Sequence, residues 1–218
     1  MIDCQHGKVY AGKPIIGIAG GIGSGKSLIA DLFGEFGCLV IHSDQQVTRA
    51  YADPQVRQTL KQWWGDSVFS SSGEVDRKAI AARIFTDDTE RLRLENLLHP
   101  IVARQRHLLM EGAAKDDGVP AYVWDTPLLF ETGLQRQCDT VVFVQAPQAL
   151  RSARVAAGRG WDESELARRE KLQWPLDRKR EISEYVIDNT ADADYARGQV
   201  KEVLSRIQAR WCKTPPRQ

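Results

Sequence analysis

The sequence lacks much of what several protein classes require. Its four cysteines, Cys4, Cys38, Cys138 and Cys212, are widely scattered, and no two form a Cys-x-x-Cys pair. That spacing argues against a disulfide framework and against a zinc site, and it points to a reducing cytoplasm. No apolar run approaches the roughly 20 residues of a membrane span. Residues 1–12 lack the apolar stretch of a signal peptide and read as a short N-terminal extension. Neither sign of charge dominates: 30 basic and 29 acidic residues give a net charge of +1, so no global basic field points to nucleic acid. Asparagine occurs only at Asn96 and Asn189, and neither is followed by lysine, so the guanine signature Asn-Lys-x-Asp of a GTPase is missing. No internal repeat or low-complexity segment is present.

What remains is an ordinary globular composition, 218 residues with 42% apolar and 27% charged. That is enough for one domain with elaborations. Ile15-Ile16-Gly17-Ile18-Ala19 reads as a buried strand ending in glycines. Residues 26–36 carry apolar positions at helical spacing, and Gly37 stops that helix. Residues 38–41 are a second buried strand, completing one βαβ unit. Residues 47–52, 55–63, 77–85 and 89–110 then read as helices. Strands return at 121–124, 140–144 and 185–187. A charged, arginine-rich helical stretch covers 149–181, and residues 194–211 form a closing amphipathic helix. The expected fold is α/β with a five-stranded parallel sheet.

Gly20-Gly21-Ile22-Gly23-Ser24-Gly25-Lys26-Ser27 matches the P-loop pattern completely, and it lies between a strand and a helix. Glycines let the backbone curl until successive N–H groups converge on phosphate oxygens. The helix that follows presents its positive end to the same anion. Lys26 is placed for the β- and γ-phosphates of a nucleoside triphosphate, and the Ser27 hydroxyl for Mg²⁺. Asp125-Thr126-Pro127-Leu128 has no glycine at a switch position, and the chain is short for a motor ATPase. A small-molecule kinase is the favoured class. Asp44, just past the second strand, either accepts a proton from an acceptor hydroxyl or caps the next helix. Asp125, at the end of the third strand, suits a water-mediated hold on Mg²⁺.

The ordered set of motifs resembles the dephospho-coenzyme A kinase family. It comprises the P-loop, Val40-Ile41-His42-Ser43-Asp44, Leu98-His99-Pro100, Pro127-Leu128-Leu129-Phe130-Glu131 and Val186-Ile187-Asp188-Asn189. The resemblance spans about residues 14–208. It implies a P-loop kinase sandwich of three layers, with a core at 14–45, 119–149 and 182–212. It further implies a helical CoA-binding insertion over 46–118, a lid over 150–181 and a tail at 213–218. The implied activity is ATP- and Mg²⁺-dependent phosphorylation of the ribose 3′-hydroxyl of dephospho-CoA, by a monomer or weak homo-oligomer.

Carried over by position, Asp44 is the base. Gly21, Ile22, Gly23, Ser24, Gly25, Lys26, Ser27 and Leu28 hold ATP, with Leu28 expected to pack on the sheet. Asn189 lies near the adenine or forms a turn. His99, Pro100, Arg106, Asp125 and Leu128 face the acceptor, Arg104 lies nearby, and Pro100 is expected to break its helix. Residues 127–130 form an apolar wall, and Glu131 is a helix N-terminal charge. Arg151, Arg154 and Arg159 are the lid candidates, with Arg159 favoured and Arg154 next. His42 stands where the family has the first aspartate of Asp-Ala-Asp; it donates to a phosphate or to Asp44, or caps the strand. The tryptophans are given packing roles.

Overall fold

Short apolar runs between glycines and charged helices form the strands of a central sheet in the computed structural model, which describes residues 12–211. They are β1 (Ile15–Gly20), β2 (Leu39–His42), β3 (Tyr122–Asp125), β4 (Thr140–Gln145) and β5 (Tyr185–Asp188). The order is β2-β3-β1-β4-β5 and every pairing is parallel. The expected tail and most of the expected N-terminal extension lie outside the described residues.

A parallel sheet is covered on both faces, which is why its strands read as continuous apolar runs. β1 is buried along its whole length. Alternate residues serve opposite faces. Ile16, Ile18, Val123, Val142, Val144 and Ile187 pack against α1 (Lys26–Glu35) and α9 (Ala193–Trp211). On the other face Ile15, Tyr122 and Trp124 pack with Met110, while Ala19, Val141 and Phe143 pack with Leu129 and Phe130. The fold is the expected helix–sheet–helix sandwich. Leu28 corrects the sequence reading: it is 42% exposed. The buried stripe of α1 is Ile29, Ala30, Leu32 and Phe33, and Leu28 lies off that stripe by helical geometry.

Between β2 and β3 the chain is helical: α2 (Ser43–Ala52), α3 (Pro54–Trp64), α4 (Arg77–Thr86) and α5 (Asp88–Gly112). Asp53 starts α3 by accepting from the N–H groups of Gln55 and Val56, with Pro54 in the first turn. Asp76 starts α4 in the same way. Ser43–Leu109 is a compact unit by itself, with a core of Ala50, Val56, Leu60, Trp64, Ile80, Leu94 and Leu98. A second unit contains the sheet, with the chain up to His42 and from Met110 onward.

The expected break at Pro100 does not occur, and α5 continues through it. Proline deprives the Asn96 carbonyl of its helical donor. Asn96, His99 and Pro100 are all exposed, so the proline lies on the solvent side of the helix. Leu94 and Leu98 are buried, and Leu97, Ile101 and Val102 pack beside them, so core packing carries the helix through the proline.

Between β4 and β5 the expected helical stretch is three helices: α6 (Gln148–Arg159), α7 (Glu163–Glu170) and α8 (Leu176–Glu181). Gly160 ends α6 in the left-handed region at φ 66°, which a side chain would disfavour. Asp162 then starts α7, accepting from Glu165 N–H. No described helix is long and apolar enough to cross a membrane.

Candidate active site

The loop after β1 takes positive φ at Gly20, Gly23 and Gly25, at 149°, 77° and 88°. These are conformations that glycine adopts without strain. At Gly23 space is closed as well, since a Cβ would lie 2.6 Å from the Arg151 carbonyl oxygen.

Donors outside the loop hold its carbonyls. Arg151 Nη1 donates to the Ile22 carbonyl at 3.2 Å. Arg154 Nη1 reaches the Ser24 carbonyl at 3.4 Å, and Asn189 Nδ2 donates to that same carbonyl at 2.8 Å. Arg154 Nη2 also donates to the Asn189 carbonyl at 3.0 Å. A planar trans peptide sets its N–H opposite its C=O. Fixing the Ile22 and Ser24 carbonyls therefore fixes the direction of the Gly23 and Gly25 N–H groups. These sit at the amino end of α1, where the helix dipole favours an anion.

These contacts redistribute the arginines expected in the lid. Arg151 is buried and ion-paired to Glu170 besides bracing Ile22. Arg154 and Asn189 brace Ser24, and Asn189 is 2% exposed. Arg159, at the end of α6, is exposed and has no carboxylate partner among the described residues; its guanidinium carbon lies 4.9 Å from the Trp161 ring centre. No local signal announces the bracing, because the partners are 129 to 165 residues apart.

Lys26 Nζ donates to the Gly20 and Gly21 carbonyls at 3.3 and 2.9 Å. Burial lowers its pKa to about 8. Asp125 opposes that shift, while Lys179 and Arg159 deepen it. Ser27 Oγ donates to Asp125 Oδ2 at 2.6 Å, and His42 Nδ1 lies 2.9 Å from the same oxygen. The β2–β3 register sets His42 directly beside Asp125. His42 Nε2 also meets Asp31 at 3.1 Å, so this imidazole links two carboxylates. A hydroxyl and a carboxylate in contact suit a hard cation that takes its remaining ligands from water and phosphate, as Mg²⁺ does. Among the described residues no group of three or more His, Cys, Asp or Glu side chains forms a metal cage.

Two further expectations need correction. Glu131 does not start a helix: residues 127–133 are a run of turns. Its Oε1 accepts from Trp174 N–H at 2.7 Å and pairs with the buried Lys179 at 2.8 Å. The apolar wall at 127–130 is divided. Leu129 and Phe130 enter the core, whereas Leu128 is 43% exposed.

In the helical unit, Asp44 lies in the first turn of α2, which begins at Ser43. The capping alternative therefore does not apply. Its main-chain carbonyl accepts from Thr48 Oγ1 at 2.8 Å, and the residue is exposed. On α5, Arg104 is exposed and Arg106 is buried.

Comparison with known proteins shows the family. The family model described as dephospho-CoA kinase matches residues 14–194. The dephospho-CoA kinase of Corynebacterium diphtheriae is 34% identical over 195 residues, covering 88% of this chain and 96% of that protein. That of Syntrophotalea carbinolica is 32% identical, covering 88% and 92%. The crystal structure of TT1252 from Thermus thermophilus superposes with a TM-score of 0.76 at 34% identity, over 89% of this chain and 98% of that one. A shikimate kinase from Acinetobacter baumannii shares the fold at a TM-score of 0.52 and 17% identity. The chain belongs to the dephospho-CoA kinase family.

Proposed function

We propose that this member of the dephospho-CoA kinase family transfers the γ-phosphoryl group of ATP to the ribose 3′-hydroxyl of dephospho-CoA, giving coenzyme A and ADP in the cytoplasm. The observation that carries the phosphoryl-transfer half is the braced loop, its Ile22 and Ser24 carbonyls bonded to Arg151, Arg154 and Asn189. Family membership supports the choice of acceptor.

In this reading the N–H groups of residues 21–28 receive the triphosphate, and Asn189 serves nucleotide binding through the loop it braces. Lys26 exchanges the Gly20 and Gly21 carbonyls for phosphate oxygens. Ser27, and Asp125 through a water, would hold Mg²⁺, which would neutralise phosphate charge. Asp44 receives the proton of the 3′-hydroxyl as its oxygen attacks phosphorus in line, while ADP departs with the bonding electrons. Arg159 closes on the transferring group, its planar fork matched to two oxygens, and Arg154 holds the loop in place beneath it. The resemblance assigns His99, Pro100 and Arg106 of the helical unit to the acceptor, and it assigns Leu128 and Asp125 to the acceptor as well.

The test is ADP release with dephospho-CoA, with a panel of nucleosides and nucleotides, and with no acceptor. Release that depends on dephospho-CoA supports the proposal. Equal release with a nucleoside, or slow release indifferent to any acceptor, rejects it.

A further inference from the structure

Gly160, in the left-handed conformation, turns the chain directly after Arg159 and delivers Trp161 two residues on. The Trp161 side chain packs against the small apolar cluster formed by Ile22 of the phosphate loop, Val155 of α6 and Leu166 of α7. Two guanidinium groups lie over its ring, Arg159 at 4.9 Å and Arg169 at 3.9 Å. Their charges are treated differently. Arg169 is ion-paired to Glu165 at 2.6 Å, and Arg168 shares that carboxylate at 2.7 Å. Arg159 has no carboxylate among the described residues. Arg151 on the same helix has Glu170.

We infer that Trp161 is a positioning residue for Arg159: its ring holds this one arginine of α6 in readiness for the nucleotide phosphates. A carboxylate partner would hold the guanidinium too, but it would set a negative charge beside the triphosphate and compete for the cation. The face of an indole attracts a cation through its quadrupole while carrying no net charge. It orders the guanidinium and releases it to an anion. The cluster connects the two events, because Ile22, one of its three members, belongs to the loop proposed to receive the phosphates. The inference rests on the reading of Arg159 as the arginine that closes on phosphate.

The experiment uses the full chain as wild type, Trp161→Phe, Trp161→Leu and Arg159→Ala. Each is titrated with ATP while tryptophan emission is followed, then assayed for kcat and KM with dephospho-CoA. The chain has six tryptophans, so the signal assigned to Trp161 is the part that Trp161→Phe removes. That variant keeps an aromatic face and is expected to retain near wild-type kinetics while losing most of the ATP-induced emission change. Trp161→Leu keeps an apolar side chain against the Ile22, Val155 and Leu166 cluster but has no ring. It is expected to lower kcat/KM for ATP about threefold to fivefold, the size of an exposed cation–π contact. Arg159→Ala should abolish the emission change and lower the rate further. Wild-type kinetics in Trp161→Leu beside an impaired Arg159→Ala overturns the role of Trp161 and leaves that of Arg159 standing. An unimpaired Arg159→Ala overturns the reading beneath it. If Trp161→Leu folds poorly, Trp161→Phe decides, since an undiminished ATP-induced emission change in that variant overturns the inference.

Discussion

Asp44 and Lys26 contribute opposite charges to the proposed transfer, and each makes a claim that one substitution or one pH series can test. Asp44 follows the end of β2 by two residues and lies in the first turn of α2, where its carboxylate does not cap the helix. Asp44→Asn is expected to lower kcat by about 10² to 10⁴, the usual contribution of a general base, with ATP binding nearly intact; steady-state kinetics alongside nucleotide titration check this. Lys26 has its pKa lowered to about 8, chiefly by burial. In the free protein its ammonium is present below that pH and lost above it, so kcat/KM for ATP should fall as pH rises through about 8. Bound phosphates favour the ammonium, so the corresponding limb of kcat should lie at higher pH. The same lowered pKa implies that charged Lys26 costs folding stability below pH 8, a cost relieved between 8 and its ordinary value of 10.5. A kcat/KM profile flat to pH 9.5 would contradict the shift. Lys26, Ser27 and Asp125 were legible in the sequence because motif and strand ends fix their places. His42 was not: its pairing with Asp125 depends on the β2–β3 register, which no local pattern states.

At the scale of elements, the loop, α6 and the end of β5 act together. The β1–loop–α1 run was legible because glycine spacing and apolar periodicity both encode it locally. The bracing was not, because an arginine serves a carbonyl, a carboxylate or a ring equally well, and its partner is chosen by contacts remote in sequence. Arg151, Arg154 and Arg159, the lid candidates of the sequence with Arg159 favoured and Arg154 next, take those three kinds of partner in different combinations. Arg154→Met removes a charged donor from Ser24 and Asn189 while leaving the apolar stem. It is expected to raise KM for ATP about tenfold, in line with roughly 1.5 kcal/mol for one charged hydrogen bond. Gly23→Ala places a Cβ 2.6 Å from the Arg151 carbonyl at φ 77°. Both ATP affinity and melting temperature should fall, measured by nucleotide titration and thermal denaturation; wild-type values for both would mean that the loop is not held as described. Pro100 shows where local rules mislead. Its effect on α5 was read from the residue alone, whereas Leu94 and Leu98 decide the outcome through the core of the helical unit.

For the whole molecule, the parallel order β2-β3-β1-β4-β5 gathers the chemistry at the carboxyl ends of β1, β2 and β3, from which the phosphate loop, His42 and Asp125 extend. Ligands of open α/β sheets bind at that edge. The sheet was legible because its strands are uniformly apolar and separated by glycine or charged helix. The corrected features, the inward turn of Leu129 and Phe130 and the Glu131–Lys179 pair, depend on packing between distant segments. Ser27 and Asp125 offer only two oxygen-bearing side chains, so metal binding should depend on the nucleotide. Chelation by EDTA is therefore expected to abolish transfer, and to lower the melting temperature much less without ATP than with it. The most direct measurement of the central claim is product analysis after incubation with ATP, Mg²⁺ and dephospho-CoA. Mass spectrometry and ³¹P NMR should find one added phosphoryl group on the acceptor, a monoester on the ribose 3′-oxygen, formed one for one with ADP. ADP with unchanged dephospho-CoA, or a phosphoryl group at any other position, would contradict it.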